Sequence, residues 1–216
     1  MEREFWLERW RLNQIGFHQA DYNARLRKHW AALNVPAGAR VFVPLCGKSR
    51  DMWWLAAQGH SVIGTELAPA AVEAFFGEAS APYERRQAAR FVAYEGMHVR
   101  ILCGDVFDLS ADDLVDVRGA FDRGGLVALP PPMRRRYAAH LLDILPVGTA
   151  TLLLTVEYDQ SRADGPPFAV HDDEVDALYG ARCSVDLLER TAAEMPPRLD
   201  AVGPRCESTY RIVKTR

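Results

Sequence analysis

Short apolar segments of strand type alternate with helical segments along the middle of this chain. Residues 40–45, 61–66 and 149–156 are rich in Val, Ile, Leu and Phe. Continuous apolar strands are typical of a parallel sheet that is covered on both faces, and alternation with helices indicates βαβ units. The pattern predicts an α/β fold with a mostly parallel sheet. A chain of 216 residues is long enough for one such domain and too short for two comfortable ones.

Composition excludes several partners. The formal net charge is -3, whereas nucleic-acid binders usually carry a basic excess, so no nucleic-acid partner is expected. The densest basic run, residues 134–136, is predicted to lie on the solvated face of a helix. No run of about 18 apolar residues appears, which predicts no membrane span, and the first ten residues lack the apolar segment of a leader peptide. We therefore expect a soluble, cytoplasmic monomer.

Cysteine and histidine spacing gives no sign of a metal site. The four cysteines form no C-x-x-C pair, which argues against a zinc knuckle or a redox motif. The six histidines show neither H-x-H nor H-E-x-x-H spacing. Cys46 is interpreted as a small buried hydrophobic residue, because no histidine is placed to activate it as a nucleophile. No metal is expected.

A glycine turn followed by an acidic residue predicts a nucleoside site. The first strand-type segment leads into the turn 45–49, where Gly47 has no Cβ and lets a ligand approach the backbone. Glu66 ends the next strand-type segment. An acid about 20 residues after a nucleotide-binding turn can accept hydrogen bonds from ribose hydroxyls.

Three classes of nucleotide could use this turn. A P-loop requires a glycine where this chain has Phe42, and a dinucleotide fingerprint requires glycines where it has Ser49 and Met52. S-adenosylmethionine has no pyrophosphate to bind, so one glycine can suffice. This third class fits the residues best.

Several segments resemble the thiopurine S-methyltransferase family. The similarity extends over nearly the whole chain, and Pro-Leu-Cys-Gly-Lys in place of a multi-glycine loop is distinctive. The matching segments are residues 5–10 (Phe-Trp-x-x-x-Trp), 13–18, 41–49, 59–66 and 121–130. The resemblance implies a Rossmann-like class I methyltransferase fold with a seven-stranded, mostly parallel sheet, helices on both faces and an antiparallel C-terminal strand.

The resemblance also implies how S-adenosylmethionine is held. Trp10 would close over the cofactor from an N-terminal helical cap of residues 1–34, within a single domain of residues 1–216. Leu45 would contact the methionine end through its backbone, beside Gly47. Glu66 would hold the ribose. The adenine would lie against Asp105 and Val106.

On the acceptor side, the resemblance implies three residues. Arg123 would lie beside both the sulfonium and the incoming thiol, as the catalytic residue. Phe17 and Arg198 would line the acceptor pocket. The expected reaction is S-methylation of aromatic or heterocyclic thiols, with selenium or tellurium species as further acceptors. An O- or N-methyltransferase and a non-catalytic nucleoside-binding protein remain alternatives.

Overall fold

Nine strands form one mixed sheet in the computed structural model, which describes residues 3–192 and 205–216. Their order across the sheet is β3-β4-β5-β2-β1-β6-β7-β9-β8. The strands are β1 (Arg40–Val43), β2 (Ser61–Glu66), β3 (Glu84–Ala88), β4 (Phe91–Gly96), β5 (Val99–Cys103), β6 (Val117–Asp122), β7 (Ala150–Glu157), β8 (Cys183–Ala192) and β9 (Cys206–Lys214).

The centre of the sheet is parallel. The five strands from β5 to β7 in this order pair in parallel, which confirms the α/β prediction. β9 pairs antiparallel with β7, and β8 pairs antiparallel with β9. The chain order reverses at β1, which lies between β2 and β6. Ligands of open α/β sheets bind outside the carboxyl ends of the strands at such a point.

The described part of the sheet has two strands more than the seven expected. Seven strands run from β5 to β8 in sheet order, and the hairpin β3–β4 extends the sheet beyond β5. β3 has the sequence Glu-Arg-Arg-Gln-Ala and is largely exposed. Because it lacks alternating apolar residues, the hydrophobic pattern could not reveal it.

Helices cover both faces of the sheet. Val41 and Val43 of β1 belong to an apolar cluster with residues of α2, α3 and α4, whereas Phe42 belongs to a cluster with residues of α5 and α6. In residues 3–192 and 205–216 no helix has the length and apolar character needed to cross a bilayer. The helices are α1 (Arg3–Arg11), α2 (Ala24–His29), α3 (Asp51–Ala57), α4 (Pro69–Glu78), α5 (Pro131–Ile144) and α6 (Asp172–Tyr179).

The prediction of a solvated basic face on α5 is wrong at Arg134. This side chain is buried, its Nη1 donates to the Ala169 carbonyl (2.9 Å), and its Nε lies 3.0 Å from Oε1 of Glu174. A charge is tolerated in such a place when it is paired and hydrogen-bonded. Of the three arginines at positions 134–136, one is therefore buried and the other two are exposed.

The N-terminal segment is fastened to the far edge of the sheet through α2. Asn23 caps α2 with its side chain. Lys28 Nζ lies 2.6 Å from Oε1 of Glu189 on β8, and Arg25 Nε lies 3.3 Å from Oε2 of Glu207 on β9. These contacts hold α2 beside the carboxyl end of β7, where Glu207 pairs with Val156.

Candidate functional site

The turn after β1 has an unusual backbone. Leu45 and Gly47 both have positive φ, at +44° and +53°, a region that a side chain disfavours. The N–H of Cys46, between them, donates to the Thr65 carbonyl at 2.8 Å and so ties the turn to the end of β2. A leucine in this conformation is held there by its surroundings, and such positions concentrate at functional sites.

Glu66 faces this turn from the end of β2. Its Oε2 accepts from the Gly47 N–H at 2.8 Å, and its Oε1 accepts from the Ala68 N–H at 2.7 Å. Each carboxylate oxygen keeps a lone pair for a further donor. The residue is 7% exposed. Burial raises the pKa of Glu66 to about 7, although the backbone hydrogen bonds work in the opposite direction.

The end of β5 lies beside Glu66 at the end of β2. Gly104 N–H donates to the Glu66 carbonyl at 2.9 Å. Asp105 then caps a short 3-10 turn, with its carboxylate accepting from the Phe107 N–H at 3.0 Å. Val106 is buried beside it. The two residues expected near an adenine therefore follow directly on the strand that neighbours Glu66.

Trp10 lies over the glycine turn. A Cβ built on Gly47 would come within 3.0 Å of Cζ2 of Trp10, so only glycine fits beneath the indole without displacement. The indole packs edge-to-face against Phe17, with ring centroids 5.7 Å apart. Phe17 itself is 41% exposed. α1 and the turn that follows it thus bring the rings of Trp10 and Phe17 to the rim of the sheet.

Arg123 follows β6, and its side chain contacts the backbone of Phe17. The preceding Asp122 is buried and accepts from the N–H groups of Gly125 and Leu126 and from the Tyr137 hydroxyl, which fixes the turn. Nη1 and Nη2 of Arg123 donate to the Phe17 carbonyl at 3.3 and 3.4 Å.

The charge of Arg123 is partly withdrawn from water. The side chain is 21% exposed, and its Nε lies 4.0 Å from Oδ2 of Asp51. Burial lowers the pKa of Arg123, and the carboxylates of Asp51 and Glu207 oppose that shift. The guanidinium thus contacts the backbone of Phe17, whose ring packs against the Trp10 indole that lies over the glycine turn.

Asp51 is a residue of this site that sequence reasoning missed. It opens α3, and no role was predicted for it from the sequence. The sequence signal was an acid in the first turn of a helix, which ordinarily indicates favourable interaction with the helix dipole. Nothing local could reveal that its carboxylate reaches Asn23 and Arg123.

The predictions for Cys46, a metal site and Arg198 lie outside the contacts described so far. Cys46 is buried, and burial raises the pKa of its thiol well above the ordinary value, so it stays protonated at neutral pH, consistent with a packing role. Among the described residues no group of three or more His, Cys, Asp and Glu could hold a metal ion. Arg198 lies outside the described residues.

The arrangement fits an adenosyl cofactor. A carboxylate with vacant lone pairs, a turn that only a glycine can make, and two further strand ends converge on one rim of the sheet. Phe17 and Arg123 adjoin this rim through Trp10 and Asp51. The residues brought to the rim itself are Trp10, Leu45, Gly47, Glu66, Asp105 and Val106.

Comparison with known sequences gives one family. The model of the thiopurine S-methyltransferase family matches residues 1–215. A thiopurine S-methyltransferase of Pseudomonas entomophila is 54% identical over 217 residues, covering 99% of this chain and 100% of the relative. One from Bordetella petrii is 50% identical over 190 residues, covering 88% of this chain and 87% of the relative.

Solved structures share the fold at low identity. The 1,6-didemethyltoxoflavin N1-methyltransferase of Burkholderia thailandensis, solved with 1,6-didemethyltoxoflavin and S-adenosylhomocysteine, matches with a TM-score of 0.60 at 21% identity, covering 99% of this chain and 87% of that one. An arsenic(III) S-adenosylmethionine methyltransferase from Chlamydomonas reinhardtii matches with a TM-score of 0.60 at 17% identity, covering 91% and 75%.

Proposed function

The chain belongs to the thiopurine S-methyltransferase family, and from that premise we propose that it methylates the sulfur of aromatic or heterocyclic thiols. It is an S-adenosylmethionine-dependent methyltransferase, as the family and the homologues at about half identity establish. The choice of sulfur as acceptor is the proposal. The observation that carries it is the guanidinium of Arg123 on the Phe17 carbonyl, with the Phe17 ring packed against Trp10 over the glycine turn.

The cofactor side is proposed to work as follows. Glu66 accepts hydrogen bonds from the ribose hydroxyls through its vacant lone pairs. Leu45 and Gly47 offer backbone to the methionine end. Asp105 and Val106 flank the adenine. Trp10 covers the turn from the cap of residues 1–34, within the single domain of residues 1–216.

The acceptor side needs little chemistry of its own. When bound, the cofactor supplies a methyl group on a sulfonium, so the leaving group departs neutral and needs no proton. Aromatic thiols are acidic, and a nearby cation favours their ionised form. Arg123 therefore holds the thiolate, while Phe17 orients the ring. Arg198 is proposed as a further residue of this pocket. Positioning of this kind can lower a barrier by up to about 7–11 kcal/mol.

An acceptor panel tests the proposal. The purified protein is given S-adenosylmethionine labelled in its methyl group and one of 6-mercaptopurine, 4-nitrothiophenol, 4-nitrophenol, 4-nitroaniline, selenite or tellurite. We expect methyl transfer to the two thiols, slower transfer to the selenium and tellurium oxyanions, and little to the phenol or the aniline. The phenol and aniline share the ring of the thiol, so they isolate the acceptor atom.

Two results would overturn it. Faster transfer to the phenol or aniline would indicate an O- or N-methyltransferase. Absence of S-adenosylhomocysteine with every acceptor, in a protein that binds the cofactor by calorimetry, would indicate a binding protein without turnover.

A further inference from the structure

The carboxylate of Asp51 joins two segments that are far apart in the sequence. Asp51 is 2% exposed. Its Oδ1 accepts from the backbone N–H of Asn23 at 2.7 Å, and its Oδ2 accepts from the Ser49 hydroxyl at 2.9 Å. Ser49 closes the glycine turn, and Asn23 begins α2. One side chain thus ties the turn after β1 to the N-terminal segment.

The same carboxylate faces Arg123. Its Oδ2 lies 4.0 Å from Nε of Arg123, which is too long for a hydrogen bond but short enough for strong attraction between charges in a partly buried place. The terminal nitrogens of Arg123 donate to the Phe17 carbonyl. Asp51 therefore balances the charge of the guanidinium and leaves its N–H groups free of a carboxylate.

Glu207 cannot take over this task. It is the other carboxylate whose charge acts on Arg123, but it already lies 3.3 Å from Arg25 and 2.9 Å from Arg205. The hydrogen-bond donors of Asp51 are a backbone N–H and a hydroxyl, both neutral. Its negative charge is therefore left for Arg123.

We propose that Asp51 is a positioning residue that holds Arg123 in place for the acceptor and links it to the cofactor turn. The proposal rests on the function proposed above for Arg123. Asp51 does not touch the reacting atoms. It acts by fixing where the guanidinium lies, so its effect on turnover has to disappear when Arg123 is absent.

Asp51→Asn separates charge from shape. The amide oxygen can still accept from Asn23, and the amide nitrogen can donate to the Ser49 hydroxyl, which also accepts. The charge is removed and the hydrogen bond with Ser49 reverses its direction, while both partners are kept. A matched control is Asp116→Asn, because Asp116 lies 3.9 Å from Arg40 in a pair of similar length that is 69% exposed at the aspartate. Exposed pairs of this kind contribute little.

A double-mutant cycle provides the test. With 4-nitrothiophenol we expect Asp51→Asn to lower kcat/KM about tenfold in the wild-type background and less than about twofold in the Arg123→Ala background, as coupled neighbours do. The Kd of S-adenosylmethionine, measured by calorimetry, should stay within about twofold, and Asp116→Asn should change neither quantity. Equal losses in both backgrounds would overturn the proposal.

Thermal unfolding of the cofactor-free protein repeats the cycle without any acceptor. We expect Asp51→Asn to lower Tm by about 2–4 °C in the wild-type background and to leave it unchanged or raise it beside Arg123→Ala, where the carboxylate lacks its counter-charge. Equal decreases would again refute the link. Because this readout needs no thiol, it can succeed even if the acceptor panel shows that sulfur is not methylated.

Discussion

Two regions of the site are built in different ways. The cofactor region, Gly47, Glu66, Asp105 and Val106, is held by main-chain N–H groups at adjoining strand ends, which donate to the carboxylate and the carbonyl of Glu66. The acceptor region, Phe17, Arg123 and Asp51, is held by side chains that come from separate parts of the chain. The first is almost wholly buried at Glu66, whereas Phe17 is well exposed.

This difference separates binding from turnover. The hydrogen bonds that join Gly47, Glu66 and Gly104 involve no residue of the N-terminal segment, which adds the Trp10 ring over Gly47. Contacts through Phe17 and Asp51 do depend on that segment. Substitutions in the two regions should therefore change different measured quantities, and each prediction below tests that separation.

The largest effect is expected from Arg123→Ala. Loss of the cation that binds and orients the thiolate should lower kcat/KM with 4-nitrothiophenol by up to about a hundredfold, since a hydrogen bond to a charged group contributes about 1.5–3 kcal/mol. The Kd of S-adenosylmethionine should change much less. Arg123→Lys should recover only part of the rate, because lysine lacks the planar donor arrangement. A cofactor Kd that rises as much as kcat/KM falls would join the two regions.

Glu66→Ala, in contrast to Arg123→Ala, should mainly change the Kd of the cofactor. It removes hydrogen bonds to a charged group, which contribute about 1.5–3 kcal/mol, and leaves the N–H groups of Gly47 and Ala68 without their acceptor. Calorimetry should give a cofactor Kd about tenfold higher or more. Unchanged affinity would remove Glu66 from the site.

The Kd of the cofactor should depend on pH through Glu66. The pKa of Glu66 is raised to about 7, and the ionised form is the better acceptor. The cofactor Kd should therefore rise about tenfold from pH 8 to pH 6, and Glu66→Ala should flatten this profile. In the cofactor-free protein the same raised pKa stabilises the fold fully below pH 4.5, the ordinary pKa of a glutamate carboxyl. That contribution is lost as the pH rises through about 7. An unfolding free energy with no such decline would contradict this assignment.

The smallest effect is expected from Gly47→Ala. Its φ of +53° and the Trp10 ring 3.0 Å from the new Cβ both oppose a side chain, at a cost of about 1–2 kcal/mol, or a Tm lower by about 2–8 °C. Gly77→Ala is the control, since it lies within α4 and its Cβ would meet nothing within 4 Å. It should leave Tm unchanged or raise it. Equal Tm values for both variants would refute the close contact.

The same contrast decides what the sequence could predict. Gly47 follows one predicted strand and Glu66 ends the next, so local pattern alone identified these two residues. The parallel sheet was predicted for the same reason. Asp105 and Val106 were predicted only through the family resemblance. β3 was missed because its residues are polar and exposed, and α6 was missed although three acids mark its first turn.

The acceptor region was predicted only through family resemblance. Phe17 and Arg123 are separated by 106 residues, and no periodicity relates them. Asp51 could not be predicted at all, because its partners depend on how the N-terminal segment folds back on the turn. Side chains that meet across distant segments leave no local signal.

Glu66 also sets the spacing between the turn after β1 and the end of β5. Its carboxylate bonds the turn after β1, while its own carbonyl accepts from Gly104 after β5. One residue therefore spaces the two walls between which an adenosyl group would have to fit. Shortening it to aspartate would withdraw the carboxylate from the turn without moving the carbonyl, so the gap would widen on one side only. The spacing between the turn after β1 and the end of β5 thus depends on the length of a single side chain.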